Sequence, residues 1–247
     1  MATDILALED VVAGYGKMTI LHGTSFSVKR GSITTVIGPN GAGKSTVFKT
    51  VFGMLPARSG RITFDGADIT NLTPRELLAR GISYVPQGRN IFPELSVRHN
   101  LELGAVMAPA GFDLAARTDG AMDRFPVLRR KANSQACTLS GGEQKMLEIA
   151  RALLLEPKLM LIDEPSIGLS PLMVNEVFGM LTEMRDRGIT VLLIEQNAKR
   201  ALESSDYGIV LELGRTRIAD SAKAILADPR IGQLFLGGGL APATNSG

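Results

Sequence analysis

The sequence predicts an α/β protein, and three observations support that class. Short β-branched runs alternate with helical stretches along much of the chain. Residues 159–162 and 191–194 are unbroken apolar runs, which are typical of central parallel strands that are covered on both faces. A glycine-rich segment, GPNGAGKST at residues 38–46, stands between a β-branched strand and a helix. This order predicts a mixed sheet with a phosphate-binding loop at its edge.

The segment 38–46, here called the phosphate loop, matches the pattern G-x-x-x-x-G-K-[ST]. Its glycines let the backbone wrap closely around an anion, and the following helix N-terminus favours negative charge. Lys44 would place its charge on the β and γ phosphates, and the Ser45 hydroxyl would be a magnesium ligand. The strand and helix on either side make a chance glycine turn the weaker interpretation. The predicted nucleotide-binding residues of the loop are Gly38, Pro39, Asn40, Gly41, Ala42, Gly43, Lys44, Ser45 and Thr46.

The bulk properties narrow the class of protein. A net charge of +2 without long runs of like charge argues against a dedicated nucleic-acid binder. Cys137 is the only cysteine, so no internal disulfide forms, which suits a reducing compartment. No apolar stretch reaches the ~20 residues of a membrane helix, and the N-terminus lacks the regions of a signal peptide. We therefore expect a cytoplasmic protein that reaches a membrane only through partners.

Short strands surround the phosphate loop and predict an antiparallel sheet before it. The expected strands are 6–12, 18–21 and 26–28, with a hairpin-like turn at 29–32. Tyr15 lies at the first turn, where it would either stack on a base, worth ~1–3 kcal/mol, or pack the turn. Spacing alone does not decide between these two roles.

After the loop, the pattern predicts a strand at 61–64, a helix at 74–80 and a strand at 82–85. From 88 to 157 the β-branched runs vanish and helices follow, including one at 96–106 capped by Ser96. A hairpin is expected at 207–219 and one or two short helices at 221–236. We therefore predict an α/β core at 1–87 and 158–236, an inserted helical subdomain at 88–157, and a flexible tail at 237–247.

Polar residues directly follow the two apolar strands: Asp163 and Glu164 after the first, Glu195 and Gln196 after the second. In an open α/β sheet the carboxyl ends of the strands face the ligand crevice, so all four are site candidates. Asp163 is placed as a magnesium-holding aspartate, and Glu164 could accept a proton from an attacking water. The alternative is that one of the pair caps the next loop, but two adjacent buried carboxylates are costly without a cation.

The segment LSGGE at 139–143 precedes a helix with an apolar face. Ser140, Gly141 and Gly142 at this helix N-terminus predict a second anion-binding site. A capping box between Ser140 and Glu143 is the structural alternative, and both interpretations are compatible. The residues of the apolar face are Met146, Ile149, Ala150, Leu153 and Leu154.

The ordered motifs resemble the ATP-binding subunit of ABC transporters over residues 5–236. The set comprises the phosphate loop, Gln87 after a strand, LSGGE, LMLIDEP and a polar residue after the next strand. Three strings sharpen the resemblance: VPQGRNIFPELSV (85–97), EPSIGLSP (164–171) and IEQNA (194–198). They look like the second of the two ATPases in high-affinity branched-chain amino-acid uptake systems. Subunits of urea and short-chain amide systems are closely related.

The resemblance implies a role for each candidate residue. Tyr15 would stack on adenine, Gln87 would ligate magnesium and sense the membrane partner, and Asp163 would hold the metal through water. Glu164 would be the general base, with Lys44 and Gln196 completing the catalytic set. The LSGGE residues would reach the γ-phosphate bound by an opposite subunit, so that two ATP molecules lie in a head-to-tail dimer.

The implied partners are transmembrane permease subunits, a second ABC ATPase and, indirectly, a solute-binding protein. A heterodimer is the expected pairing and a homodimer the alternative. Phe92 and its neighbours would form part of the groove for a permease helix, which would hold the chain on the inner face of the cell membrane. No nucleic acid is expected as a partner.

Three positions depart from the general family pattern. Gln196 stands where the family usually has histidine, Ser170 where many members have aspartate, and Glu143 where glutamine is commoner. A neutral amide bonds a phosphate less strongly than a charged imidazole, so slower hydrolysis is expected. A nearly inactive, nucleotide-sensing subunit therefore stands as an alternative. A repair or translation protein and a GTPase or kinase fit less well, because their usual insertions and guanine signature are missing.

Overall fold

The computed structural model describes residues 3–231 and contains two sheets flanked by helices. The strands are β1 (Asp4–Ala13), β2 (Leu21–Lys29), β3 (Ile33–Ile37), β4 (Ala57–Phe64), β5 (Ala67–Asp68), β6 (Ile82–Val85), β7 (Leu159–Asp163), β8 (Thr190–Ile194), β9 (Tyr207–Glu212) and β10 (Arg215–Ser221). The helices are α1 (Lys44–Val51), α2 (Pro74–Arg80), α3 (Val97–Glu102), α4 (Leu114–Arg124), α5 (Pro126–Arg130), α6 (Gly141–Leu153), α7 (Pro171–Asp186), α8 (Ala198–Glu203) and α9 (Ala222–Ala227). The α/β class predicted from the sequence is confirmed.

The larger sheet has six strands in the order β10-β9-β3-β8-β7-β6. All neighbours from β9 to β6 run parallel, and only β10 is antiparallel. Strands β3, β7 and β8 are buried along their whole length, as expected for central parallel strands that are covered on both faces. Because β3, β8, β7 and β6 are parallel neighbours, the residues that follow them meet at one edge.

The smaller sheet is antiparallel, with the order β2-β1-β4-β5. The predicted antiparallel sheet is therefore confirmed, but two local predictions for it are wrong. Residues 18–20 form no strand, because a turn closed by Met18 N–H to Tyr15 O occupies this part of the chain. Residues 29–32 are not a hairpin turn either, since β2 and β3 belong to different sheets.

Helices occupy the region from 88 to 157, which has no regular strand. The predicted helix at 96–106 is shorter than expected: α3 ends at Glu102 and a 3-10 turn, Leu103–Ala105, follows. Ser96 caps α3 as predicted, because its hydroxyl accepts the His99 N–H at 3.1 Å. Helices α7 and α8 were not predicted. The Pro171 start of α7 is the signal that would have found it.

The predicted division into a core and a helical subdomain stays a prediction, since apolar contacts join the two parts. Met122 and Leu147 of the helical region pack in one cluster with Ile162 and Leu193 of the sheet. The expected tail at 237–247 lies outside the described residues. Within residues 3–231, no helix is both long and apolar enough to cross a membrane.

Candidate active site

The phosphate loop leaves β3 and enters α1, and its shape depends on two glycines with positive φ. At Gly38 (φ 155°) a Cβ atom would lie 2.1 Å from the carbonyl oxygen of Leu211, at the end of β9. At Gly43 (φ 101°) it would lie 2.9 Å from a methyl carbon of Leu21. A side chain at either position would therefore force neighbouring atoms apart. The hairpin after β9 also braces the loop, because Gly214 N–H donates to Ala42 O at 2.9 Å.

Lys44 is buried against its own loop. Its Nζ donates to Gly38 O at 2.8 Å and to Pro39 O at 3.0 Å. Burial lowers the pKa of Lys44, while the carboxylates of Glu164 and Asp163 act in the opposite direction. The ammonium group therefore lies inside the loop, within the electrostatic reach of both acidic residues.

A cavity of about 260 Å³ opens in front of the loop. Tyr15 and Ile20 form one side, and Glu164 forms another. The Tyr15 side chain is 45% exposed, and Lys49 Nζ lies 5.7 Å from its ring centroid. The ring is therefore available to a planar ligand rather than packed away in the turn. The loop residues that line the cavity are Asn40, Gly41, Gly43, Lys44, Ser45 and Thr46.

Asp163 ends β7 beside the start of α1 and is 2% exposed. Its Oδ1 atom is buried without a hydrogen-bond partner, and its Oδ2 accepts from the Tyr84 hydroxyl at 3.4 Å. Burial raises the pKa of Asp163, Glu164 adds to the shift, and the nearby Ser45 hydroxyl opposes it. A buried carboxylate with an unpartnered oxygen suits a bound cation.

Glu164 lies between two glutamine side chains. Gln87 Nε2 donates to its Oε2 at 2.6 Å, and Gln196 Nε2 donates to the same oxygen at 2.9 Å. The residue has φ 47°, and its N–H donates to Ile194 O at 2.9 Å. The other oxygen, Oε1, is left for a further partner. Strands β6, β7 and β8 thus bring the three predicted residues together.

The LSGGE segment does not line this cavity. Ser140 caps α6, accepting the Glu143 N–H at 3.3 Å while Glu143 Oε2 accepts the Ser140 N–H at 2.7 Å. This is the capping box that the sequence offered as an alternative. A Cβ atom at Gly142 would lie 2.0 Å from Met173 Sδ, so the helix start packs closely against α7. Gly141 lines a separate cavity of about 270 Å³ with Arg89, Gln144 and Leu169.

Among the predicted site residues, Ser140, Gly141 and Gly142 are therefore set apart from the cavity by the chain's own geometry. Tyr15, Glu164 and six residues of the phosphate loop line one cavity directly, whereas Gly38, Pro39 and Ala42 of the loop do not line it. Gln87, Gln196 and Asp163 reach it through their contacts with the carboxylates and with α1. Within residues 3–231, no three His, Cys, Asp or Glu side chains are placed together as metal ligands.

Sequence reasoning missed the contacts of two polar side chains, the half-buried Tyr84 and the buried Glu195. Tyr84 hydrogen-bonds Asp163 and packs edge-on against Phe48 of α1, with ring centroids 6.2 Å apart. Glu195 accepts the Ser166 N–H at 3.0 Å and lies 2.8 Å from the Ser166 hydroxyl. Burial raises the pKa of Glu195, and its hydrogen bonds oppose the shift. The position of Glu195 at a strand end was a signal, but no pattern indicated its partner.

Comparisons with known proteins identify the family of this chain. The family model described as ABC transporter matches residues 21–167. The chain belongs to the ABC transporter family. As a member of that family it is an ATPase, and the ATP-binding fold expected from its motifs is confirmed.

Two relatives are similar over nearly the whole chain. One is the high-affinity branched-chain amino acid transport ATP-binding protein BraG of Pseudomonas aeruginosa, which is 41% identical over 95% of this chain and 100% of the relative. The other is the probable branched-chain amino acid transport ATP-binding protein LivF of Archaeoglobus fulgidus, 39% identical over 91% and 95%. The resemblance given by the sequence motifs is thus confirmed.

Solved structures of the family match the fold. The ADP conformation of an ATP-binding cassette of an ABC transporter has a TM-score of 0.84 at 32% identity, covering 95% of this chain and 99% of that one. A dimeric cassette bound to ADP and phosphate has a TM-score of 0.75 at 25% identity, covering 88% and 99%. The fold is therefore one that binds nucleotide in the solved members.

Proposed function

We propose that this chain is the energy-coupling ATPase of an importer for branched-chain amino acids. The observation that carries the proposal is the 41% identity with BraG over the full length of that relative. Relatives named for lipopolysaccharide export are less similar, at 32–33% identity. The importer assignment is therefore favoured over an exporter, and a related urea or amide importer is the alternative.

Within the site, we assign Tyr15 to adenine stacking and the phosphate loop to the triphosphate. Magnesium fits beside it, because Ser45, Gln87 and Asp163 offer oxygen atoms and Asp163 Oδ1 has no partner. Bound magnesium would supply positive charge to the phosphates. Glu164 would accept the proton of the attacking water through Oε1, since Oε2 is occupied by two amides. Gln87 and Gln196 would hold that carboxylate in orientation.

The chain would work as half of a composite dimer. Its LSGGE segment lies outside its own cavity, with the N-terminus of α6 capped but still able to offer amide groups to an anion. A second ABC ATPase would bring its nucleotide to this segment. We propose a heterodimer with a related ATPase as the working form, and a homodimer as the alternative.

A groove would receive the permease. It has a volume of about 630 Å³ and lies between the segment after Gln87 and the end of α3. Phe92 is 52% exposed and Val106 70% exposed at this groove, a cost that a protein partner would remove. An amphipathic helix of a transmembrane subunit is the proposed occupant. This contact would hold the chain on the cytoplasmic face of the membrane.

The test is solute uptake by cells that lack the gene. We expect deletion to abolish high-affinity uptake of labelled leucine, isoleucine and valine, because transport lacks its energy source. Restoring the gene should restore uptake, whereas the Glu164→Gln variant should not. Normal uptake of these three amino acids together with lost uptake of urea would contradict the solute assignment and favour the related system.

A further inference from the structure

Helix α6 carries three charged side chains in a row, of which Lys145 and Glu148 are buried and Arg151 is half-buried. Lys145, Glu148 and Arg151 are spaced at i, i+3 and i+6, so they form one ridge along the helix. Glu148 is 3% exposed and Lys145 is 6% exposed. Lys145 Nζ and Glu148 Oε2 form an ion pair at 2.5 Å. Burial lowers the pKa of Arg151, and Glu148 opposes the shift. We call these three residues the charged ridge.

The charged ridge binds the main chain of residues 88–90. Lys145 Nζ donates to Gly88 O at 3.0 Å, and Asn90 N–H donates to Glu148 Oε1 at 2.6 Å. Arg151 Nη2 donates to Asn90 O, and its guanidinium carbon lies 5.9 Å from the centroid of the Phe92 ring. Each member of the ridge therefore holds a backbone group of the same short segment.

These contacts explain why charges are buried on this helix. Residues 86–92 have no regular secondary structure, so their backbone N–H and C=O groups need partners elsewhere. The ridge provides them, and the paired carboxylate and ammonium offset part of the cost of their own burial. Bonds to charged groups are also shorter and stronger than those between neutral groups.

The segment 88–90 connects two functional regions. Gln87 lies immediately before it and contacts Glu164, whereas Ile91 and Phe92 lie immediately after it and line the groove. Helix α6 itself begins at the LSGGE segment. A single set of hydrogen bonds thus joins the groove, the proposed base Glu164 and the LSGGE segment.

We propose that the charged ridge is a positioning element for catalysis. It fixes the segment 88–90 to α6, so that Gln87 stays beside Glu164 and a displacement of the groove moves the LSGGE segment with it. Lys145, Glu148 and Arg151 act through Gln87 and need not touch the nucleotide.

The test removes the ion pair with the double variant Lys145→Met/Glu148→Gln. The glutamine keeps an oxygen for the Asn90 amide, but Gly88 O loses its donor and the short charged contacts are lost. We expect amide hydrogen exchange in 87–92 to rise by roughly tenfold or more, since lost bonds to charged groups shift local opening by that order. We also expect the kcat for ATP to fall while KM stays within about twofold.

The matched control is Lys199→Met/Glu203→Gln on α8. This pair has the same chemistry but is exposed, with its charged atoms 4.0 Å apart. We expect it to leave the exchange of 87–92, kcat and KM unchanged, because exposed pairs contribute little. If the first double variant does not fold, Glu148→Gln alone is judged by the same criteria, since it replaces one oxygen by an amide nitrogen.

Unchanged exchange in 87–92 overturns the proposal, as does raised exchange with an unchanged kcat. Exchange that rises equally throughout the chain also overturns it, because the ridge would then be merely structural. The kinetic measurement rests on the proposed function, whereas the exchange measurement rests on the geometry alone. If the unmodified chain hydrolysed no ATP, the proposed function would fail and hydrogen exchange would still decide the role of the ridge.

Discussion

The chain has two glycine-rich segments that begin helices, and only one of them faces the cavity beside Tyr15. Residues of the phosphate loop line that cavity, and the ammonium group of Lys44 lies inside the loop. The LSGGE segment instead starts a helix that satisfies its own end, with Ser140 and Glu143 forming a capping box. Lys131 Nζ also binds Glu143 at 2.8 Å and fixes the box.

Under the proposed function, the first segment belongs to a complete site and the second to a partial one. The phosphate loop needs only ligand, because strands β3, β6, β7 and β8 already place its partners. In the proposed dimer, the LSGGE segment, which is already capped, would receive its phosphate from a second chain. Three substitutions test these roles, in order of decreasing expected effect.

Ser140→Ala should lower ATP turnover by the dimer and leave ATP binding by the monomer intact. The loss of a bond to a charged phosphate, ~1.5–3 kcal/mol, corresponds to a fall in turnover of roughly 10- to 150-fold. ATP affinity of the monomer should not change. The measurements are steady-state hydrolysis by the Ser140→Ala variant and, separately, sedimentation with Mg-ATP in a Glu164→Gln background, where hydrolysis should be blocked.

The matched control for this substitution is Thr73→Ala. Thr73 and Glu76 form the same capping box on α2, and neither residue lines the cavity. Both alanine variants should lose about 0.5–2 kcal/mol of stability. Equal losses of turnover in the two variants would show that Ser140 acts only as a helix cap.

Gln196→His should raise turnover by about tenfold. A charged imidazole can bond phosphate at ~1.5–3 kcal/mol, against ~0.5–1.5 kcal/mol for a neutral amide, a difference of about one power of ten in rate. Gln196 now donates to Glu164 Oε2 at 2.9 Å, so the substitution also tests whether that contact is needed. The kcat of purified protein is the measurement, and an unchanged or lower value would contradict the expectation.

Asp163→Asn should stabilise the protein without nucleotide while it impairs hydrolysis. Because burial raises the pKa of Asp163 in the folded state, the ionised carboxylate costs stability at neutral pH, and this cost disappears on protonation. We expect a rise in Tm at pH 7, by about 2–4 °C for each kcal/mol of this cost that is removed in a chain of this size. The gain should shrink as the pH falls through the raised pKa towards the ordinary value of 3.8.

Asp186→Asn on the surface is the control for that pH dependence. Asp186 pairs with Arg185 but is well exposed, so its replacement should change Tm little at any pH. A gain at Asp163 that stays constant as the pH falls would show that the stabilisation does not come from a buried charge.

The sequence predicted the elements with sharp local boundaries. The strand at 82–85 and the helix at 74–80 have the predicted bounds, because glycine and proline lie at their ends. The prediction of a strand at 18–21 was wrong for a tertiary reason. Arg58, 40 residues away, donates to Met18 O at 3.2 Å and holds the turn that Met18 forms with Tyr15. The local periodicity of a sequence does not reveal contacts between residues so far apart in the chain.

For the site, the motifs predicted which residues meet, because parallel strands end at one edge. They did not predict how the residues contact one another, such as the two amides on one oxygen of Glu164. The charged ridge was missed for a clear reason. Lysine and glutamate at i and i+3 usually mark an exposed helix face, and only the packing of segment 88–90 against α6 buries Lys145 and Glu148.

The turn between β9 and β10 packs against the phosphate loop, and this contact has a consequence for biosynthesis. Gly38 lies against Leu211, and Ala42 O accepts the Gly214 N–H, yet these partners are translated about 170 residues later. At ~5–20 residues per second, the ribosome completes them roughly 10 to 30 seconds after the loop is made. A nascent chain that stops before β9 should therefore carry the whole phosphate-loop sequence and still bind ATP poorly.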